Sequence, residues 1–144
     1  MGNRVYGCDD CQDVCPWNRF AHEGPEAFKF SPRSRSADLN LIEFLSMTDT
    51  AFRNHFKGSP VLRAKRSGFV RNVAVALGNS NDAQAIPPLM RQLEDDDELV
   101  RGHVAWALGE LGGKDATSAL RKQLKIETVE WVREEINAAL GECG

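Results

Sequence analysis

The sequence predicts an all-α protein, an α-solenoid of helix pairs preceded by an irregular, cysteine-rich segment. Three observations predict it. The tripeptide Ala-Leu-Gly occurs at 76–78, 107–109 and 139–141, at intervals of 31 and 32 residues. An apolar stripe with helical spacing precedes each copy, and a shorter amphipathic segment lies between consecutive copies. Three cysteines crowd the start as Cys8-Asp9-Asp10-Cys11-Gln12-Asp13-Val14-Cys15-Pro16. Paired helices at a fixed period cover one another's apolar faces and stack into a solenoid. The chain divides accordingly into residues 1–37, 38–58 and 59–144.

In residues 1–37 the spacing C-x2-C-x3-C-P carries the chemistry. Soft thiolates at such short intervals select iron–sulfur clusters or zinc. Cys8, Cys11, Cys15 and Pro16 match the end of the bacterial ferredoxin run C-x2-C-x2-C-x3-C-P, whose fourth cysteine ligates the other of two clusters. The first position of that run falls on Val5, which cannot ligate. On this pattern Cys8 and Cys11 serve one 4Fe–4S cluster and Cys15 a second, so the site is partial and ferredoxin-like. The remaining thiolates must come from elsewhere, and Cys143 reads as a bystander. A structural Cys3His zinc site, with His22 as fourth ligand, is the alternative. Trp17 follows the motif directly; it either shields a cluster and tunes its environment or anchors packing. Gly, Pro and Ser between His22 and Ser36 mark loops.

Residues 38–58 predict two short helices. Asp38 is placed to cap Leu39–Leu45, and Thr48 to cap a helix presenting Phe52 and Phe56 at i, i+4. From Phe52 to Asn79 the chain carries Arg53, Lys57, Arg63, Lys65, Arg66 and Arg71 and no acidic residue. Beyond it the balance reverses, with Glu94-Asp95-Asp96-Asp97-Glu98 the densest run. Such asymmetry points either to one face for a polyanion or to solvated helix surfaces whose charges pair with neighbours.

Residues 59–144 hold the repeats. The stripes are Val70, Val73, Ala74 and Leu77; Val100, Val104, Ala107 and Leu108; and Val132, Ile136, Ala139 and Leu140. Asp82 and Asp115 stand where helix N-caps belong, and Pro87-Pro88 blurs one boundary. Trp106 and Trp131 read as packing between repeats, and His103 as a hydrogen-bonded helix residue. The pattern resembles short HEAT-like repeats.

Composition limits the function classes. A hydrophobic fraction of 42% and a charged fraction of 27% are globular values. No apolar run is long enough to span a membrane. Met1–Tyr6 has no apolar signal core, which favours a cytoplasmic protein. A formal charge of −3 excludes a uniformly basic, nucleic-acid-coated surface.

The string Arg4-Val5-Tyr6-Gly7-Cys8 to Cys15-Pro16-Trp17-Asn18 resembles the second cluster motif of the epoxyqueuosine reductases. The resemblance continues through Phe56-Lys57-Gly58-Ser59-Pro60, Arg63–Gly68 and Arg71–Asn79 into the repeats, and covers essentially the whole chain. It implies an oxidoreductase that reduces epoxyqueuosine in tRNA to queuosine, with a cobalamin and two 4Fe–4S clusters, in the cytoplasm. Cys8 and Cys11 would then ligate one cluster and Cys15 the other. Arg63, Lys65, Arg66 and Arg71 would lie near the tRNA anticodon stem–loop, and Trp17 in the cluster environment.

The family's cobalamin-binding domain, its first cluster motif and a further upstream cysteine have no counterpart in this sequence. The resemblance therefore implies the C-terminal part of a reductase, inactive alone and partnered by a cobalamin domain in cis or on a separate chain. Two other readings stay open: a HEAT-like binding module with a zinc-stapled arm, and an electron-transfer subunit.

Overall fold

The computed structural model describes residues 5–7, 10–20 and 40–142, and no strand occurs among them. Near the N-terminus a single helical turn, α1 (Asp10–Asp13), leads into a 3-10 turn at Pro16–Phe20. The expected Asp38 cap lies outside the described residues. Asn40 caps α2 (Leu41–Leu45), its Oδ1 accepting from Ile42 N at 3.1 Å. Thr48 caps α3 (Asp49–His55) as expected, accepting from Ala51 N at 3.2 Å. Phe52 and Phe56 follow at i, i+4 with ring centroids 5.1 Å apart. Phe44 and Phe69 join them in one aromatic cluster that seals this end of the solenoid.

The helix pairs follow. A 3-10 turn at Pro60–Ala64 introduces α4 (Lys65–Gly78); α5 (Ile86–Gln92) then pairs with α6 (Glu98–Leu111), and α7 (Lys114–Leu124) with α8 (Glu130–Glu142). Helices α4, α6 and α8 lie side by side in one layer, with α2, α5 and α7 in the other. Pro87 and Pro88 fall in the first turn of α5, where a missing N–H costs nothing. Asp82 caps the short 3-10 turn before α5, accepting from Gln84 N at 2.9 Å. Asp115 is not a cap: α7 starts at Lys114, and Gly113 takes the cap position. Gly112 and Gly113 have φ of 65° and 95°, so this tight turn needs the left-handed conformations that glycine reaches without strain.

The sequence stripes form the core. Val70, Val73, Ala74, Val100, Val104, Ala107, Leu108, Val132 and Ile136 are fully buried. Each such Val or Leu side chain contributes roughly 1.5–3 kcal/mol of burial. Where the layer-mates meet, the Ala-Leu-Gly copies stack on one another. A methyl group on Gly78 would stand 3.0 Å from Ala107 Cα, and one on Gly109 would stand 2.8 Å from Ala139 Cβ. Small residues at these points let the helices approach, which is why the tripeptide recurs. Trp131 lies over Gly102 and Trp106 over Gly78, so both tryptophans pack between repeats as their positions predict. His103 Nδ1 stands 2.9 Å from Leu99 O, one helical turn back.

Candidate functional site

The cysteine segment begins against the basic segment. Asn72, in the second turn of α4, donates from Nδ2 to Val5 O at 2.8 Å. Tyr6 donates its hydroxyl to Pro60 O at 3.0 Å, just where the basic 3-10 turn starts. Val5 packs against the edge of the core. Residues 60–72 therefore hold the backbone two to three residues ahead of Cys8, and the fold brings together two segments that lie far apart in sequence.

Of the three candidate ligands, Cys8 lies outside the described residues, as do His22 and Cys143. Cys11 sits in α1, exposed, and Cys15 between α1 and the next turn, half-buried; neither forms a disulfide. Asp10 O accepts from Val14 N at 3.2 Å, placing one helical turn between Cys11 and Cys15, and Cys15 O accepts from Asn18 N at 3.0 Å at the start of the next turn. Among the described residues no group of three or more His, Cys, Asp or Glu side chains is gathered that could hold a metal ion. Val14 and Trp17 are 80% and 76% exposed, and Trp17 is paired with Phe20 at 5.8 Å. Exposed apolar side chains thus stand beside Cys11 and Cys15 in the sequence.

The four candidate phosphate contacts diverge. Arg63 is exposed on the 3-10 turn. Lys65 is also exposed, and its backbone stands at φ 56°, ψ 170°. Side chains other than glycine rarely occupy that region, and strain of about 1–3 kcal/mol is typical there. Arg66 is committed to the fold. Its Nε donates to Met47 O at 2.6 Å, and both terminal nitrogens donate to Asp95, Nη1 at 3.0 Å. Arg71 donates from Nε to Asn72 Oδ1 at 3.1 Å, orienting the amide that holds Val5. At about 100° per residue, Arg71 stands some 120–140° around α4 from Lys65 and Arg66. Lys65 and Arg66 instead line a groove of about 970 Å³ whose opposite wall includes Asp95, Asp96 and Asp97.

The acidic run is built into the structure. Asp95 pairs with Arg66, and Asp97 caps α6 by accepting from Leu99 N at 2.9 Å. One repeat later the arrangement recurs. Arg101 donates from Nε and Nη2 to the Glu127 carboxylate at 2.8 and 2.9 Å, and from Nη1 to Asp95 O at 2.9 Å. Arg133 clamps the same turn, donating to Leu124 O and Glu127 O at 2.9 Å. The Arg101 hydrogen bonds hold the Glu127 carboxyl down at about 2 against the burial that would raise it. Burial likewise pushes the Asp95 carboxyl upward, but the Arg66 and backbone hydrogen bonds hold it below the usual carboxylate range.

Sequence reasoning missed Asn72, Tyr6, Asp95 and Glu127. One signal was available for the arginines: a Val-Arg pair recurs at 70–71, 100–101 and 132–133. Among the described residues, Arg71 bonds the Asn72 side chain rather than a turn.

Residues 62–141 match the family model for HEAT repeats. An epoxyqueuosine reductase of Pseudomonas aeruginosa is 43% identical over 112 residues, covering 75% of this chain and 30% of that protein. One of Salmonella typhimurium is 38% identical over 110 residues, covering 76% of this chain and 28% of that protein. A crystal structure of epoxyqueuosine reductase with a tRNA-Tyr epoxyqueuosine-modified tRNA stem loop superposes with a TM-score of 0.82. It is 32% identical, over 99% of this chain and 38% of that one. The chain thus spans about a third of the length of the relatives it matches.

Proposed function

Since this chain belongs to the HEAT-repeat family and matches part of the epoxyqueuosine reductases, we propose that it is the C-terminal part of such a reductase. In this reading Cys8, Cys11 and Cys15 are thiolate ligands of a ferredoxin-like 4Fe–4S segment, Cys8 and Cys11 to one cluster and Cys15 to another. The repeats carry a tRNA-facing surface. The docking of residues 5 and 6 onto residues 60–72 carries the proposal, because it joins the thiol segment to the basic segment. A generic repeat scaffold has no need of that contact.

The residues divide the work. Arg63, Lys65 and Arg71 are the proposed phosphate contacts. Arg66, the fourth basic candidate, holds the adjoining turn in place through Asp95. Bound 4Fe–4S clusters would supply one-electron transfer, and cobalamin is assigned to the portion of the reductase outside this chain. The exposed Val14 and Trp17 suit burial against that portion, since large exposed apolar patches mark interaction sites. Trp17 would then exclude water from the cluster environment. The 144-residue chain by itself is expected to show no reductase turnover, and the setting is cytoplasmic.

The test is co-expression with the cobalamin-binding portion of the Pseudomonas aeruginosa relative in cells lacking their own reductase. Mass spectrometry of tRNA nucleosides should show queuosine in place of epoxyqueuosine, and Cys11→Ser should abolish the conversion. Conversion that survives loss of all three cysteines would refute the assignment.

A further inference from the structure

We propose that the outer face of α7 is a second RNA-phosphate surface, separate from residues 63–71. The proposal rests on the tRNA-facing reading and extends it. Lys114, Ser118, Arg121 and Lys125 recur at i, i+4, i+7 and i+11, which at about 100° per residue confines them to a strip about 60° wide. The opposite face of the helix, Ala116, Leu120 and Gln123, is buried. With Lys122 and Thr117 at its margins, the strip lines a concave surface of about 620 Å³ whose lining has no carboxylate among the described residues. Asp115 is the acidic residue of this helix and falls to one side.

Like Arg63 and Lys65, these cations have no ion-pair partner among the described residues. Arg66 and Arg101 each face a carboxylate, and Arg133 donates to turn carbonyls. Lys114, Arg121, Lys122 and Lys125 are exposed and none is engaged in an ion pair among the described residues. Arg121 and Lys125 stand one turn apart, a like-charge spacing that weakens a helix unless an anion neutralises it. Favourable interaction with the helix C-terminus accounts for Arg121, Lys122 and Lys125 but not for Lys114, at the opposite end. The cations stretch along about 16 Å of helix, so the strip suits an extended run of phosphates better than one small anion. In a chain of net charge −3 it is also a more coherent basic surface than α4, whose Lys65, Arg66 and Arg71 diverge.

The experiment measures binding of the full chain to a tRNA-Tyr anticodon stem–loop and to the intact tRNA between about 50 and 200 mM salt. The wild type is compared with K114Q/R121Q/K125Q, K114E/R121E/K125E and R63Q/K65Q. Circular dichroism and urea midpoints verify folding, which exposed substitutions opposite the buried face should preserve. Affinity for the intact tRNA should fall about 10-fold or more in the α7 glutamine variant, and the salt slope should drop by about 2. R63Q/K65Q should weaken both RNAs. Unchanged tRNA binding and slope in both α7 variants, with the wild type still binding, would overturn the α7 surface and leave the wider reading intact. Absence of RNA binding by the wild type would sink both. Sedimentation with phosphatidylserine vesicles that depends on the α7 cations, without any effect on tRNA, would assign the surface to a membrane and overturn the proposal.

Discussion

Gly109 meets Ala139 so closely that a methyl group on Gly109 would lie 2.8 Å from Ala139 Cβ and 2.9 Å from its Cα. The contact repeats the one between Gly78 and Ala107, and it fixes how near α6 and α8 approach. Gly109→Ala should therefore destabilise the fold by about 1–3 kcal/mol through overpacking. Gly141 holds the same place in the last copy but has nothing within 4 Å of the added atom. Gly141→Ala should be neutral or stabilise by up to about 1 kcal/mol, since alanine is the better helix former. Urea midpoints of the two variants, moving in opposite directions, check the stacking.

Arg101 and Glu127 join consecutive repeats through a buried pair. Glu127→Ala leaves the guanidinium without its carboxylate and should cost about 3–5 kcal/mol. Because the folded Glu127 carboxyl is lowered from 4.5 to about 2, its contribution is fully present above about pH 4.5 and disappears as pH falls toward 2. The shift corresponds to on the order of 3 kcal/mol at neutral pH. Urea unfolding measured from pH 6 downward should show this loss in the wild type. Glu127→Gln should flatten it.

Lys65 sets stability against binding. Its backbone, at φ 56° and ψ 170°, suits glycine. Lys65→Gly should raise stability by about 1 kcal/mol while weakening RNA binding and reducing the salt slope by about 1. A variant that loses both stability and affinity would show that the strain is not relieved by glycine.

Asn72 is predicted to position the cysteine segment. Asn72→Ala removes the donor to Val5 O and should cost about 1 kcal/mol locally. Amide exchange at residues 5–7 should accelerate, while α6 and α8 remain protected. Arg71→Gln should produce a weaker version of the same effect, because Arg71 orients the Asn72 amide.

The repeats were legible because buried residues at a period of 31 and 32 leave their record directly in the chain. The same holds for Thr48, whose cap needs only the residues beside it. The ladder of pairs was not legible. Asp95 lies in a run of five acidic residues that reads as solvated surface, and its partner Arg66 stands 29 positions away. Only the stacking of repeats reveals which turn lies against which helix. Asp115 was misread because Gly112-Gly113 both ends α6 and starts α7, leaving no place for a side-chain cap. The docking of Val5 on Asn72 spans 67 positions and rests on a backbone carbonyl, which carries no mark in the side-chain sequence.

The most direct test of the central claim is metal and sulfide counting after anaerobic reconstitution of the chain together with the cobalamin-binding portion of the Pseudomonas aeruginosa relative, zinc being counted in parallel. The account predicts iron with matching acid-labile sulfide in excess of what that portion holds alone, the excess being lost in Cys8→Ser, Cys11→Ser and Cys15→Ser. One tightly held zinc per chain without sulfide, sensitive to those substitutions and to His22→Ala, would contradict it.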